Sequence, residues 1–332
     1  MIPKISVIIP VFNTEKYLRE CLNSVLFQSL YEIEIICAND GSTDNSLDIL
    51  QEYAKKDTRI KIINKQNEGP GITRNSAVKI AKGEYLLFLD SDDFLEKDAL
   101  ETLYNQIETD KSDIIFFNIN YIYEDKSDKI DFISPYENRL QKKCFNIQEA
   151  FDILYDTNAL AFKMYKRNLW ISKNIHYSNH LLGEDSLPYF IYLAYCKKIS
   201  ICKKHLYNYR KHSNSLSQIA SRKYNDLFEI FYNCEKALLD TPQGINLISS
   251  YLKNRIRSFV FWYKSIDLKY KHNFYDKTKN VFLYINSKYG IDTIKDSECL
   301  NEFKKFISMN YFQYRLYCFT KTFFIILNSH FN

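Results

Sequence analysis

Three carboxylates fall within four residues, directly after an apolar segment that is typical of a buried strand. Asp90, Ser91, Asp92 and Asp93 follow the segment 85–89. Carboxylates this close repel one another unless a cation compensates them. A hard divalent cation does so, because Mg²⁺ or Mn²⁺ is typically held by one or two carboxylates together with phosphate oxygens of a substrate. The spacing therefore indicates a metal site at this point of the chain.

The acidic segment could also be a calcium-binding loop or the start of a helix. An EF-hand loop counted from Asp90 would place Phe94 and Leu95 at its fifth and sixth positions, where an oxygen ligand and a glycine are needed. The sequence therefore excludes that calcium motif. A structural role stays open, because Asp93 could cap a helix that follows it.

Polar residues also follow the earlier predicted strands, and ligands of open α/β sheets bind at the carboxyl ends of the strands. The segments that follow the first three strands are 10–13, 39–44 and 64–71. Their polar groups suit a nucleotide. The first strand is not followed by G-x-G-x-x-G, and G-x-x-x-x-G-K-[ST] occurs nowhere in the chain. These absences exclude a dinucleotide-binding domain and a P-loop enzyme.

The first 118 residues alternate short apolar segments with amphipathic ones. The predicted strands are 5–9, 33–38, 60–63, 84–89 and 114–118, and the predicted helices are 15–28, 44–54 and 72–81. Nearly continuous apolar strands separated by helices indicate a parallel sheet that is buried on both faces. We therefore predict an α/β, doubly wound domain.

The rest of the chain divides into a mixed region and a helical one. Residues 119–220 combine short strand signals with helices, and beyond them the pattern predicts helices at 222–240, 244–268, 276–287 and 297–327. We therefore expect a main domain over 1–220 and a helical C-terminal region over 221–332.

Charge is distributed unevenly between the two ends of the chain. Residues 203–332 carry 21 Lys and Arg against 10 Asp and Glu, whereas residues 1–202 carry 24 against 30. The basic end could bind a membrane face, a phosphorylated substrate or nucleic acid, or could simply be a solvated lysine-rich surface. Segments 252–262 and 311–327 mix basic and aromatic residues, which suits either an anionic membrane interface or core packing. Nucleic acid is the weakest of these, because no zinc spacing or RNA-recognition signature accompanies the charge.

The cysteines and the two ends of the chain indicate the cellular compartment. The eight cysteines include no C-x-x-C pair, the first residues lack a signal-peptide pattern, and no run of 18 apolar residues occurs. We expect a soluble protein of the reducing cytoplasm, with at most a peripheral contact on the cytoplasmic face of the inner membrane. The sequence does not decide between a monomer and a homo-oligomer.

Taken together, these motifs resemble glycosyltransferase family 2, whose members have the GT-A fold. The resemblance rests on segments 10–13, 39–44, 67–75 and 83–93, in order and spacing, and on Gly183-Glu184-Asp185 further along. It implies a GT-A nucleotide-diphospho-sugar transferase fold with a mostly parallel sheet and a helical C-terminal extension. It also implies a nucleotide-binding part over 1–118 and an acceptor-binding part over 119–220.

The resemblance implies a UDP-sugar donor and a bound Mn²⁺ or Mg²⁺. Asp40 would accept a hydrogen bond from uracil N3–H, Asp92 would ligate the metal, and Asp90 would contact the ribose, the metal or a metal-bound water. Arg74 would contact nucleotide oxygens, although an ion pair that only neutralises the acidic segment is the alternative. The residues implied in donor binding are Pro10, Val11, Phe12, Asn13, Asp40, Asn67, Gly71, Arg74, Asp90, Ser91, Asp92, Arg210 and His212. Asn39 stands where the family often has Asp, so no role is assigned to it.

The family pattern also implies the catalytic acid pair. Asp185 would be the general base of an inverting transfer to a hydroxyl of a glycan acceptor such as a lipooligosaccharide or a capsule, and Glu184 would orient the acceptor or share that role. Helix capping by the pair is the alternative. Arg210 and His212 would reach the diphosphate when a loop closes, although His212 could equally be a solvated loop residue.

Two further functions are compatible with parts of the pattern. An inactive sugar-nucleotide-binding module would have no need of both Asp92 and Asp185. A nucleotidyltransferase would need a glycine-rich loop after the first strand, where Pro10 to Asn13 stand instead.

Overall fold

A mixed ten-stranded sheet and a set of C-terminal helices make up the computed structural model. It describes residues 2–123, 129–132, 144–149, 162–180, 183–211, 223–290 and 297–318. The strands are β1 Ile5–Val11, β2 Ile33–Asp40, β3 Ile60–Lys65, β4 Tyr85–Phe88, β5 Phe94–Leu95, β6 Ile114–Tyr123, β7 Lys129–Phe132, β8 Cys144–Asn146, β9 Lys163–Lys166 and β10 Lys198–Lys211. The helices are α1 Glu15–Leu26, α2 Ser46–Lys56, α3 Pro70–Ile80, α4 Ala99–Asp110, α5 Arg167–Ser172, α6 Ser186–Tyr195, α7 Asn225–Leu239, α8 Gly244–Ser265, α9 Leu268–Tyr289, α10 Ser297–Ser308 and α11 over 311–318.

The strand order confirms the predicted α/β class with a mostly parallel sheet. The main path runs β3-β2-β1-β4-β9-β6-β10-β5, while β7 pairs with β6 and β8 pairs with β10. Strands β1 to β4 are parallel, whereas β9 runs antiparallel to both of its neighbours, β4 and β6. The first residue of β9 therefore lies at the edge of the sheet where β4 and the other parallel strands end.

Apolar side chains from both faces of the sheet form two hydrophobic cores. Val7 and Ile9 of β1 face one core with α1, α2 and α4, and Ile8 faces the other. Burying one such side chain contributes about 1.5–3 kcal/mol. The second core includes α3, α6 and the C-terminal helices α7 to α11, so the helical region shares a core with the sheet.

A buried carboxylate fixes where β4 enters the sheet. Glu34 of β2 accepts hydrogen bonds from Ser6 Oγ and from the backbone N–H groups of Lys82 and Gly83, and Lys61 pairs with it. A Cβ added at Gly83 would lie 2.4 Å from the backbone nitrogen of Ser6, so only glycine allows this close approach. These contacts fix the position of β4 along the sheet and therefore the position of the acidic segment that follows it.

The C-terminal helices differ from the predicted ones in their bounds. The segment predicted as 276–287 begins eight residues earlier, because Phe274 and Tyr275 are buried in the core. The predicted helix 297–327 is interrupted at 309–310. None of the described helices is both long and apolar enough to cross a membrane.

Candidate functional site

The carboxyl ends of β1, β2 and β4 meet at one edge of the sheet, where their loops are tied together. The Asn13 side chain accepts a hydrogen bond from Thr43 N at 2.8 Å, and Asn13 N donates to Ser42 Oγ at 3.1 Å. Asn13 adopts a left-handed conformation with φ of 53°, which asparagine tolerates better than most residues. The two loops that follow β1 and β2 are therefore held as one unit.

Asp40 is a buried, ionised hydrogen-bond acceptor at this edge. Lys65 Nζ lies 2.6 Å from its carboxylate, and the N–H groups of Glu68 and Gly69 donate to it at 3.0 and 2.9 Å. Burial opposes ionisation, but Lys65 and these donors hold the pKa of Asp40 below its ordinary value. The carboxylate at the predicted uracil position is thus already fixed in place.

The other residues that the resemblance places around the uracil differ in how far their side chains are exposed. Phe12 is 47 % exposed and offers an apolar surface, and Asn67 is exposed on the loop after β3. Pro10 is half-buried, while the Val11 side chain is fully buried in the sheet. Only the backbone of Val11 can therefore contact a ligand.

The acidic segment is braced from β10, and its last carboxylate is not a helix cap. Asp93 is buried and accepts hydrogen bonds from Tyr207 Oη at 2.6 Å and from Arg210 N at 2.7 Å. The following helix, α4, begins only at Ala99, so the capping alternative is wrong. Burial, reinforced by the charges of Asp92 and Asp90, raises the pKa of Asp93.

Asp90 and Asp92 present the oxygen donors that suit a hard divalent cation. The Asp90 side chain is 34 % exposed and Asp92 is half-buried. Ser91 between them is buried, and its Oγ accepts a hydrogen bond from Thr14 Oγ1 at 3.0 Å. In the part of the chain that the structure describes, no group of three or more His, Cys, Asp or Glu side chains could hold a metal ion. The two aspartates fit Mg²⁺ or Mn²⁺ only where phosphate or water oxygens complete the coordination.

Arg74 connects this segment to the predicted catalytic pair. Its Nη2 lies 2.7 Å from Asp90 Oδ1, and its Nη1 lies 2.9 Å from Glu184 Oε1. The guanidinium also lies over the Tyr177 ring, 5.3 Å from the centroid. The ion-pair alternative for Arg74 is thus what the structure contains, and it joins two acidic groups rather than one.

Helix α3 approaches the segment that carries the pair without an intervening side chain. A Cβ added at Gly71 would lie 2.2 Å from the Ser178 carbonyl oxygen and 3.4 Å from Glu184 Cγ. Asn75 exchanges hydrogen bonds with the Tyr177 backbone at 2.8 and 2.9 Å. Gly71 therefore acts by allowing this close packing.

Glu184 and Asp185 are half-buried carboxylates at the start of α6. Asp185 stands at the N-cap position of α6, yet its side chain makes no capping hydrogen bond. Burial and the charge of Asp185 raise the pKa of Glu184 to about 7, although Arg74 opposes the shift. Burial also raises the pKa of Asp185, and the charges of Arg74, Lys163 and Arg255 oppose that shift. A carboxylate with a raised pKa is suited to accepting a proton near neutral pH.

Arg210 braces the acidic segment in this conformation. Its Nε donates to the Asp92 carbonyl oxygen at 2.9 Å, and its Nη2 pairs with Glu20 at 2.6 Å. The guanidinium lies over the rings of Tyr17 and Phe94. His212 lies outside the described residues.

Sequence reasoning missed two buried cations beside Asp185. Arg255 had a detectable signal, because it lies one turn from Tyr251 and Phe259 on the apolar face of a predicted helix. Lys163 gave no signal, since it stands at the start of a short segment without clear periodicity.

The fold is that of the GT-A class. The solved structure of S. aureus TarS residues 1–349 in complex with UDP-GlcNAc superposes on this chain with a TM-score of 0.76. The match covers 92 % of this chain and 88 % of that one, at 22 % sequence identity. This similarity confirms the predicted fold.

The sequence comparisons give the family. Residues 6–169 match the family described as Glycosyl transferase family 2. The glycosyltransferase GlyG of Streptococcus pneumoniae serotype 4 (strain ATCC BAA-334 / TIGR4) is 30 % identical over 266 residues, which cover 74 % of this chain and 87 % of GlyG. The glycosyltransferase GlyA of the same strain is 35 % identical over 230 residues, which cover 67 % of this chain but only 32 % of GlyA. This chain belongs to glycosyltransferase family 2.

The contacts of Asp93 predict that its role is structural. Asp93→Ala leaves two buried donors, Tyr207 Oη and Arg210 N, without this acceptor. Each unsatisfied buried donor costs about 1–3 kcal/mol. We expect the free energy of unfolding, measured by urea denaturation, to fall by about 2–4 kcal/mol.

Asp98→Ala is the matched control, because Asp98 is an exposed carboxylate paired with Lys204. Its loss should change the free energy of unfolding by less than about 1 kcal/mol. An Asp93→Ala protein as stable as the wild type would show that the buried carboxylate does not hold the segment.

Proposed function

We propose that this chain transfers a sugar from a UDP-sugar to a hydroxyl of a glycan or glycolipid acceptor, with inversion at the anomeric carbon. The observation that carries the proposal is the double ion pair of Arg74, which puts Asp90 of the acidic segment and Glu184 of the acid pair on one guanidinium. A donor-binding group and the residue next to the proposed base therefore lie within one side chain's reach of each other. The TarS structure of the same fold, a complex with UDP-GlcNAc, supports a UDP-sugar as donor.

The uridine would bind over the loops that follow β1 to β3. Asp40 is fixed by Lys65 and two backbone donors, so it can accept a further hydrogen bond from uracil N3–H without rearranging. Phe12 would cover one face of the base, with the backbone of Pro10 and Val11 beside it. Asn13, Asn67 and the α3 start at Gly71 would border the nucleotide.

The diphosphate would bind beside the acidic segment. Asp90 and Asp92 would hold Mn²⁺ or Mg²⁺, which supplies compensation for the negative charge that develops on UDP as it leaves. Ser91 is fixed by Thr14 and keeps the two aspartates in one short turn. Arg210 holds the Asp92 backbone, so the segment is ordered before the donor arrives.

Asp185 would act as the general base. As the bond from the anomeric carbon to the UDP oxygen breaks, the acceptor oxygen forms the new glycosidic bond, and its proton moves to the Asp185 carboxylate. Attack from the face opposite UDP gives inversion. Glu184, held by Arg74, would orient the acceptor hydroxyl.

We also propose that the C-terminal helices dock on an anionic lipid bilayer. Leu268, Phe312 and Leu316 are exposed, and the rings of His272 and Phe312 lie 6.2 Å apart, which joins α9 to α11. We define the C-terminal patch as Leu268, Phe312 and Leu316 with the cations Lys264, Lys269, Lys271 and Arg315. Within 264–272 and 311–318 the chain carries these four cations and one carboxylate, Asp267. The excess of positive charge favours binding to an anionic surface.

The metal site predicts how UDP binds. Calorimetry should show that removing divalent cations with EDTA weakens UDP binding at least about tenfold, or about 1.4 kcal/mol. Asp92→Ala should cause a similar loss in the presence of Mn²⁺, because Asp92 would hold the metal that compensates the charge of the diphosphate. Asp98→Ala should bind UDP as the wild type does. Equal affinity with and without EDTA would contradict the metal assignment.

The base assignment predicts a separation of binding from transfer. Asp185→Asn should retain UDP affinity but reduce kcat for sugar transfer about 10²–10⁴-fold. Wild-type kcat should fall as the pH drops through the raised pKa of Asp185, since burial raises this pKa and protonation removes the base. Glu184→Gln should move this acid limb to lower pH, because the neighbouring negative charge is lost.

Glu52→Gln is the control for these kinetics, because Glu52 is a surface carboxylate paired with Arg19 and Lys56. Transfer by Asp185→Asn at the wild-type rate would refute the base assignment. Donor binding without transfer by the wild type to any glycan acceptor would instead favour the inactive binding module.

The C-terminal patch predicts lipid-dependent flotation. The full chain should float with vesicles of phosphatidylcholine and phosphatidylglycerol, but not with phosphatidylcholine alone, and high salt should reduce recovery. The double variant Phe312→Ala/Leu316→Ala should lose most of the recovery. Phe27→Ala is the matched control, because Phe27 and Phe312 are both 71 % exposed. Equal recovery of the double variant and the wild type would remove the proposal.

A further inference from the structure

In addition to Arg74, two buried cations act on Asp185, the proposed base. Lys163 is 2 % exposed and Arg255 is 5 % exposed. Both charges favour the ionised form of Asp185 and oppose the effect of burial, which raises the pKa of Asp185. They come from different parts of the chain, because Lys163 begins β9 and Arg255 lies on α8 of the helical region.

Lys163 lies at the edge of the sheet that carries the site. It pairs with Phe116 of β6, and the next residue, Met164, pairs with Leu87 near the end of β4. Its Nζ lies over two aromatic rings, 4.7 Å from the centroid of Tyr189 and 5.2 Å from that of Phe116. Tyr189 is one turn after Asp185 on the same helix, so the ammonium is packed against the start of α6.

The packing of Lys163 is unusual for a charged group. Burial lowers the pKa of its ammonium to about 7, and the charge of Asp185 opposes this shift. Among the described residues, no carboxylate lies within 4.0 Å of its Nζ. A buried ammonium is costly, and the charge of Asp185 is the influence that opposes its deprotonation.

Arg255 supports the start of α6 from the helical region. Its Nη1 donates to Ser186 Oγ at 3.5 Å, and Ser186 directly follows Asp185. Its Nε donates to the Asn254 side chain at 3.0 Å. The guanidinium also lies 5.0 Å over the ring of Phe190. The Arg255 guanidinium is therefore held in place beside the first turn of α6, next to Asp185.

We propose that Lys163 and Arg255 are positioning residues that keep Asp185 ionised in its half-buried site, so that the helical region completes the catalytic centre. The proposal rests on the proposed function of Asp185 as base. A cation in poorly hydrated surroundings favours a nearby carboxylate far more than it does in water. Arg74 already pairs with Asp90 and Glu184. In the proposed function, Asp90 contacts the donor and Glu184 contacts the acceptor. Lys163 and Arg255 act on Asp185 in addition to these ion pairs, and both charges favour its ionised form.

The other titratable groups near Asp185 do not replace this role. The groups that face it are Glu184, Arg74, Lys163, Arg255, Tyr165, Tyr177 and Cys234. Burial raises the pKa of each phenol, and it raises the pKa of the Cys234 thiol to about 12. These three groups are therefore neutral at physiological pH, and Glu184 and the three cations set the charge around Asp185.

The test measures the ionisation of Asp185 directly. Carbon-13 NMR of carboxyl-labelled aspartate follows Asp185, and its signal is assigned by its absence in Asp185→Asn. Lys163→Met and Arg255→Met should each raise the pKa of Asp185 by about one unit, because each removes a cation. The acid limb of kcat should move to higher pH by the same amount. KM for the donor should stay unchanged, and kcat should recover at high pH.

Two further variants separate this effect from general destabilisation. Arg255→Lys should restore part of the shift, because the charge is kept. Arg59→Met is the matched control, because Arg59 is a largely buried arginine paired with Asp57 elsewhere in the fold. Folded Lys163→Met and Arg255→Met proteins with an unchanged Asp185 titration would overturn the proposal. If the wild type transfers no sugar, the proposed function fails, and the NMR titration still decides whether the two cations hold Asp185 ionised.

Discussion

The two ion pairs of Arg74 are the interaction on which the site depends. One guanidinium, with its side chain 11 % exposed, compensates Asp90 and Glu184, which lie 94 residues apart in the chain. Removing one partner of a buried ion pair commonly costs about 3–5 kcal/mol, because it leaves a charge without compensation. The acidic segment after β4 and the start of α6 therefore cannot move independently, and neither can the donor and acceptor sides of the proposed reaction.

Close backbone approaches make this arrangement possible. Gly71 lets α3 touch the segment that leads to Glu184, and Gly83 lets the chain enter β4 directly beside β1. Neither glycine has a group that could do chemistry. Each nevertheless decides the distance between elements whose side chains do, since an added Cβ would collide with backbone atoms at both positions. Part of the geometry of the site is thus set by residues without functional groups.

The sequence predicted the local features of the fold and several residues that the structure brings together at the candidate site. The buried strands β1 and β2 were evident as apolar runs, and Asp40, Arg74, Asp90 and Asp185 do lie at one edge. The partners of Asp93 were not predictable, because Tyr207 lies 114 residues away and no periodicity connects them. Helix α9 was predicted too short, since the polar run 269–273 conceals a start that packing of Phe274 stabilises. Local patterns specify elements, whereas charge compensation depends on contacts that only the folded chain creates.

The distribution of charge at this edge also bears on how a diphosphate could bind. Asp40, Asp90, Asp92 and Asp93 already concentrate carboxylates there, and a diphosphate would add further negative charge. Among the described residues, Lys65 pairs with Asp40 and Arg74 with Asp90 and Glu184, while Arg210 pairs with Glu20. Lys211 is a further cation near Asp93. A diphosphate could draw on one of these cations or bind together with a divalent cation. The partly exposed carboxylate of Asp90 favours binding with a divalent cation, because Asp90 would hold that cation while Glu184 keeps its ion pair with Arg74.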